Sequence, residues 1–176
     1  MKNLIVLLLL ASASACEGPK SYSAIEESRY STVGAVERLT SEINTLIPEG
    51  TEIEVLASGF EWSEGPLWLE DQNALIFTDV PTNKIWKWSE QDSLSLFLEP
   101  SGYLGTETNK KEPGANGLAL DNEGNLILCQ HGERRIAMML SPLTMATSEF
   151  KGLVADFEGK KFNSPNDLVI NKSGQI

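Results

Sequence analysis

Three oxygen-bearing side chains recur at nearly equal intervals in the sequence: Glu64 in "FEWSEGPLW", Asn116 in "NGLALDNEGNL" and Asn166 in "NDLVINKSGQI", 52 and 50 residues apart. One carboxylate and two amides make an oxygen-only donor set, which suits a hard cation such as Ca²⁺ or another divalent ion. Each position also has a plainer reading. An Asn before a strand is often a turn residue, and Glu64 after Trp62-Ser63 could cap a turn. Turn chemistry does not, however, require Glu64 to share a register with the two asparagines. Phe60, Trp62 and Trp68 would pack around such a site and keep its dielectric low. His131, the only histidine, follows the run "LILCQ" and is either a hydrogen-bonded structural residue or a substrate contact. Asp79 and the pair Arg134-Arg135 could reach the rim, although a solvated loop suits each. There is no His/Cys cluster at zinc spacing and no G-x-S-x-G nucleophile motif.

Residues so far apart in sequence meet only if the elements carrying them repeat. From Thr51 onward, short apolar runs ("IEVLA", "ALIFTD", "KIWKW", "LSLFL", "GLALD", "NLILCQ", "RIAMML", "DLVI") alternate with turn residues, which predicts an all-β fold. "NGLALDNEGNL" aligns with "NDLVINKSGQI" without a gap at an offset of 50, turn glycines Gly124 and Gly174 included. With one residue adjusted in the turn, the segment from Glu64 aligns with the segment from Asn116. A repeat of about 50 residues with about four strands predicts a β-propeller blade; a β-sandwich is the alternative. The first strand of a propeller blade is innermost, so positions just before successive first strands face a common channel. Upstream, "VGAVERLTSEINTLI" spaces Val33, Val36, Leu39, Ile43 and Leu46 as a short helix would.

The chain has 176 residues, 41% of them hydrophobic and 22% charged, as a globular domain requires. A net charge of −11 argues against nucleic acid as a partner. Residues 1–15 read as an export signal: Lys2, a seven-residue apolar run over 4–10, then Ala13-Ser14-Ala15. Cys16 stands where a lipoprotein signal would place its acylated cysteine, so the exported chain is either membrane-attached through Cys16 or free in the periplasm or outside the cell. Residues 16–32 read as a linker and 33–176 as the propeller domain. With only Cys16 and Cys129 present, a disulfide framework is not supported, and Cys129 reads as a buried core thiol.

Together, "FEWSEGPLW", "GANGLALDNEGNLILCQHGERRI" and "FNSPNDLVINKSGQI" resemble the SMP-30/gluconolactonase family of six-bladed propellers, over 33–176. The resemblance implies a metal-dependent hydrolase acting on a sugar lactone. It makes Glu64 and Asn166 metal ligands and places Asn116 against substrate or metal. A further ligand and base, an Asp of a later blade, has no counterpart in these 176 residues. An Arg that some relatives carry two residues before the middle Asn is Gly114 here, so their substrate preference does not transfer. Residues 51–176 amount to about two and a half repeats. This leads to the expectation of an incomplete propeller, poorly soluble and inactive alone. A non-catalytic sugar- or protein-binding propeller and an aryl-esterase or phosphotriesterase remain the alternatives.

Overall fold

A computed structural model describes residues 29–107 and 109–176. The expected signal over 1–15, Cys16 and most of the expected linker lie outside the described residues. The chain divides into two units at Val55/Leu56.

In the first unit, strands β1 (Ser31–Thr32) and β2 (Glu54–Val55) pair antiparallel. The helix expected over 33–47 does not form; a single 3-10 turn, Ser41–Thr45, stands there instead. Leu39 and Leu46 are 85% and 80% exposed, so the apolar spacing has no surface to pack on. A short helix without tertiary packing is marginal in water. The Arg38 guanidinium closes the segment as a loop, donating to Asn44 Oδ1 and to the carbonyls of Ile47 and Pro48.

The second unit is built from two four-stranded antiparallel meanders. Strands β3 (Ser63–Leu69), β4 (Ala74–Asp79), β5 (Lys84–Ser89) and β6 (Ser93–Leu98) form the first, in that order. Strands β7 (Ala115–Leu120), β8 (Leu126–Gln130), β9 (Arg135–Met139) and β10 (Phe150–Val154) form the second. A short hairpin of β11 (Asp156–Phe157) and β12 (Lys160–Lys161) follows. These are the successive blades that the 50-residue period predicts.

Burial explains why the strands read as they do. The first core cluster joins Leu69, Ile76, Ile85 and Leu98 of the first sheet to Ala115, Leu118, Leu126, Leu128 and Met139 of the second. On the other side of β8, Ile127, Cys129 and Ile136 pack under Phe162, Leu168 and Ile170 of the third repeat. Strand β8 is covered on both faces and is therefore continuously apolar rather than alternating. The opposite holds for β10, "FKGLV", which is mostly exposed at the sheet edge and carries no strand signal that the sequence pattern detects.

The third repeat begins without a ladder: 162–176 contains no assigned strand, so "DLVI" is not the strand its pattern predicts. Among the described residues no second strand pairs with it. Its turn is nevertheless a copy of the one before. Asp121 N donates to Asn125 O, and Gly124 N to Asp121 O; fifty residues on, Asn171 N donates to Gln175 O, and Gly174 N to Asn171 O. Both glycines sit at positive φ, +83° and +80°, where a side chain would be strained.

Cys129 is fully buried, and burial, with the Asp167 carboxylate adding to it, pushes the thiol up to about 12. Between pH 9 and 12 the folded thiol keeps a proton that the unfolded chain has lost, so stability falls as pH rises through that window. In a Cys16→Ser chain, where only Cys129 can react, the expected result is a thiol inert to a disulfide reagent at pH 8 in buffer and reactive in urea. Rapid labelling in buffer would contradict the burial.

Candidate functional site

Glu64 and Asn116 lie inside β3 and β7, not just before them as the sequence pattern suggests, because the ladders extend further toward the channel end. Both strands are interrupted there in the same way. The register shifts between Glu64↔Thr78 and Leu67↔Ile76 in one, and between Ala115↔Gln130 and Leu118↔Leu128 in the other. A bulge re-aims the chain it contains; in β7 it contains Asn116-Gly117, and in β3 it contains Gly65-Pro66, directly after the paired Glu64.

Glycines bring the repeats together. A Cβ on Gly65 would lie 2.2 Å from the Asn116 carbonyl oxygen. One on Gly117 would lie 2.4 Å from Asp167 Oδ1 and 3.0 Å from the Asn166 carbonyl oxygen. The same seams are hydrogen-bonded: Thr78 Oγ1 donates to Asn116 O at 3.2 Å, and Gly117 N to Asn166 O at 2.7 Å. The residue after each candidate ligand thus rests on the next candidate ligand's backbone, which brings Glu64, Asn116 and Asn166 onto adjacent inner segments.

The Glu64 carboxylate is half-buried and accepts the Trp62 indole N–H at 2.9 Å. Asp79 holds Trp62 in turn. It is 2% exposed; its Oδ1 accepts from Trp62 N at 3.0 Å and Glu61 N at 3.2 Å, and its Oδ2 from Thr82 Oγ1 at 2.9 Å. The solvated-loop reading of Asp79 is therefore wrong: it is a buried clamp on the segment that aims Glu64. Asp79→Asn removes the charge that anchors Trp62, and the expected outcome is about tenfold weaker Ca²⁺ binding by calorimetry with the fold retained. Unchanged affinity would show that the clamp has no bearing on Glu64. The expected aromatic wall is only partly realised. Phe60 packs edge-on to Phe77 at 4.9 Å and tilted against Trp86, and Trp68 donates to Glu70 Oε2.

Asn116 is 3% exposed, and its backbone carbonyl accepts from Thr78 Oγ1. Asn166 is exposed. Among the described residues no group of three or more His, Cys, Asp or Glu side chains forms a metal cluster, and the candidate donor set is the one carboxylate and two amides of the sequence reading. Its chemistry fits a hard cation, and its three protein oxygens leave coordination positions over. Gly114 excludes the arginine of some relatives sterically: a Cβ there would meet the Val80 carbonyl oxygen at 2.5 Å.

Beside these residues lies the long crossover between the blades, 99–114. Asn83 organises it from the β4–β5 turn at φ +60°, its Oδ1 accepting from Gly102 N at 2.8 Å and Ser101 N at 3.1 Å, its Nδ2 donating to Tyr103 O. The sequence reading missed Asn83, although an Asn in a strand-to-strand turn was the available signal. The corresponding turn residue of the next blade is Arg134, at φ +63°, whose Nε and Nη2 donate to the carbonyls of Phe162 and Lys161. Arg135 donates to Gln130 Oε1. Neither arginine is a solvated loop residue. His131 Nε2 lies 3.0 Å from Glu112 Oε2, and its Nδ1 is buried without a partner.

A family model described as the SMP-30/Gluconolactonase/LRE-like region matches residues 62–176. The gluconolactonase of Zymomonas mobilis is 37% identical over 148 residues, 83% of this chain and 40% of that protein. An X-ray structure provisionally named a gluconolactonase is 37% identical with a TM-score of 0.60, covering 74% of this chain and 41% of its own. The gluconolactonase from Xanthomonas campestris is 28% identical with a TM-score of 0.57, covering 70% of this chain and 36% of its own. The chain spans about two fifths of the length of these relatives.

Proposed function

Because the chain belongs to the SMP-30/gluconolactonase/LRE-like family, we propose that it carries part of the active site of a divalent-cation-dependent sugar lactonase. The observation that supports this most directly is the glycine-mediated backbone contact of the successive segments that carry Glu64, Asn116 and Asn166. Glu64 supplies the negative charge and is oriented by Trp62. Asn116 offers a buried amide and Asn166 an exposed one. When bound, a divalent cation polarises the lactone carbonyl and stabilises the oxyanion formed on water attack. Ca²⁺ is the ion this donor chemistry favours. His131, tied to Glu112, positions the crossover loop that borders the substrate.

Hydrolysis is proposed to need the rest of the ring, since three donors are fewer than Ca²⁺ takes. The test assays this chain, and the chain completed with the C-terminal part of the Zymomonas relative, on sugar lactones and aryl esters. The expected result is lactone hydrolysis by the completed protein, abolished by chelator and restored by Ca²⁺, with little from the chain alone. Chelator-insensitive hydrolysis, or a preference for aryl esters, would overturn the reading.

The same proposal places the protein outside the cytoplasm, on the strength of Lys2, the apolar run and Ala13-Ser14-Ala15. Intact mass from the native host should show a mature chain starting at Cys16, with or without a lipid. A cytoplasmic species retaining Met1 would contradict it.

A further inference from the structure

A cleft of about 310 Å³ is lined by Lys110, Lys111, Glu112, His131, Gly132, Arg134 and Ser164. It lies at the same end of the inner strands as the candidate ligands. Ser164 is two residues before Asn166, and His131 follows Gln130, the ladder partner of Ala115 beside Asn116. Its sign is the reverse of the molecule's. Three permanent cations face one carboxylate, Glu112, which is engaged with His131, in a chain whose net charge is −11. Lys110 lies over the Tyr103 ring and 3.9 Å from Glu107, while Lys111 is exposed and makes no ion pair within 4 Å among the described residues.

The walls are fixed before any ligand arrives. Asn83, Gln130 Nε2 on Ser101 O, and Glu133 Oε1 accepting from Leu104 N all hold the crossover loop. Gly132 lets that loop approach, since a Cβ there would meet the Pro113 carbonyl oxygen at 2.3 Å. Among the described residues six non-glycine residues have positive φ, and two of them, Arg134 and Ser164, line this one cleft. Asn83 shows that an asparagine serves the equivalent turn at lower conformational cost. Arg134 Nε and Nη2 donate to the carbonyls of Phe162 and Lys161, neutral partners that fix the guanidinium beside the cleft without cancelling its charge.

We propose that this cleft holds an anionic substituent of the sugar, a carboxylate or a phosphate monoester, remote from the lactone carbonyl. Lys111 and Lys110 supply charge, Arg134 a guanidinium edge and Ser164 a hydroxyl donor. The proposal rests on the lactonase reading for the identity of the ligand as a sugar. The anion site itself stands on the cleft's own geometry.

The test titrates the 176-residue chain, free of divalent cation, with glucose 6-phosphate, glucuronate and glucose by calorimetry. At least one anion should bind about tenfold or more tightly than glucose, and more weakly as salt rises. Which anion wins distinguishes phosphate from carboxylate. Lys111→Gln should weaken that binding about five- to tenfold. Glu64→Gln should leave it unchanged, while anion binding by this chain together with no lactone hydrolysis by the completed, unsubstituted protein would count against the lactonase reading alone. Equal binding of glucose and both anions, or no effect of Lys111→Gln, would overturn the proposal.

Discussion

Glu64→Gln should reduce Ca²⁺ affinity by about 100-fold or more, some 2.7 kcal/mol, while leaving the urea midpoint nearly unchanged. Among Glu64, Asn116 and Asn166 it is the one charged group, so its neutralisation removes the main electrostatic attraction and leaves three neutral oxygens. The substitution is close to isosteric, and the Trp62 indole can still donate to the amide oxygen as it does to Oε1 at 2.9 Å. That contact also makes Trp62 a reporter: its emission should change on Ca²⁺ addition in the parent chain and not in the variant. Asn116→Ala removes a neutral amide oxygen rather than a charge and should weaken binding less than Glu64→Gln does. Equal Ca²⁺ affinity in the parent and Glu64→Gln would sink the site assignment.

Gly65→Ala should cost about 3 kcal/mol or more in stability and displace Asn116 as well. Two effects add. The residue sits at φ +50°, where an alanine is strained by about 1 kcal/mol, and its Cβ would lie 2.2 Å from the Asn116 carbonyl oxygen. That oxygen is held, because Ala115 and Leu118 on either side are paired in the ladder and Thr78 Oγ1 donates to the same atom. Gly124→Ala separates the contributions. Gly124 is also at positive φ, +83°, with nothing within 4 Å of its would-be Cβ, so only the strain should appear. Urea denaturation of both variants measures the difference, which should be about 2 kcal/mol or more. Equal losses would mean that the inner strands are not packed as closely as the geometry requires.

The alignment of "NGLALDNEGNL" with "NDLVINKSGQI" predicts the turn geometry fifty residues apart, and the structure bears it out down to which carbonyl accepts from which N–H. Such turns are local: Asp121 and Asn171 each accept with Oδ1 from residues two and four further on. Asx chemistry of this kind is legible from a few consecutive letters. The upstream apolar periodicity was misleading for the converse reason. Leu39 and Leu46 satisfy a helical spacing, but no partner surface covers them, and spacing does not state whether one exists.

The sequence by itself determined the period, the all-β class and the family, because each depends on residue type at a fixed interval. Only the tertiary structure decided what surrounds the candidate residues. Asp79 reads as a loop residue in "IFTDV" and is in fact the buried clamp behind Trp62, eighteen residues from one of its partners. Arg134 and Lys111 look like ordinary surface charges, yet they share a cleft because a four-residue turn and a long crossover fold against each other. The physical reason is range. Backbone propensity and turn chemistry act over a few residues and are written in order along the chain. Burial, desolvation and hydrogen bonding between distant segments depend on which neighbours the packed strands supply, and the Gly65 and Gly117 contacts fix those neighbours only once the blades have docked.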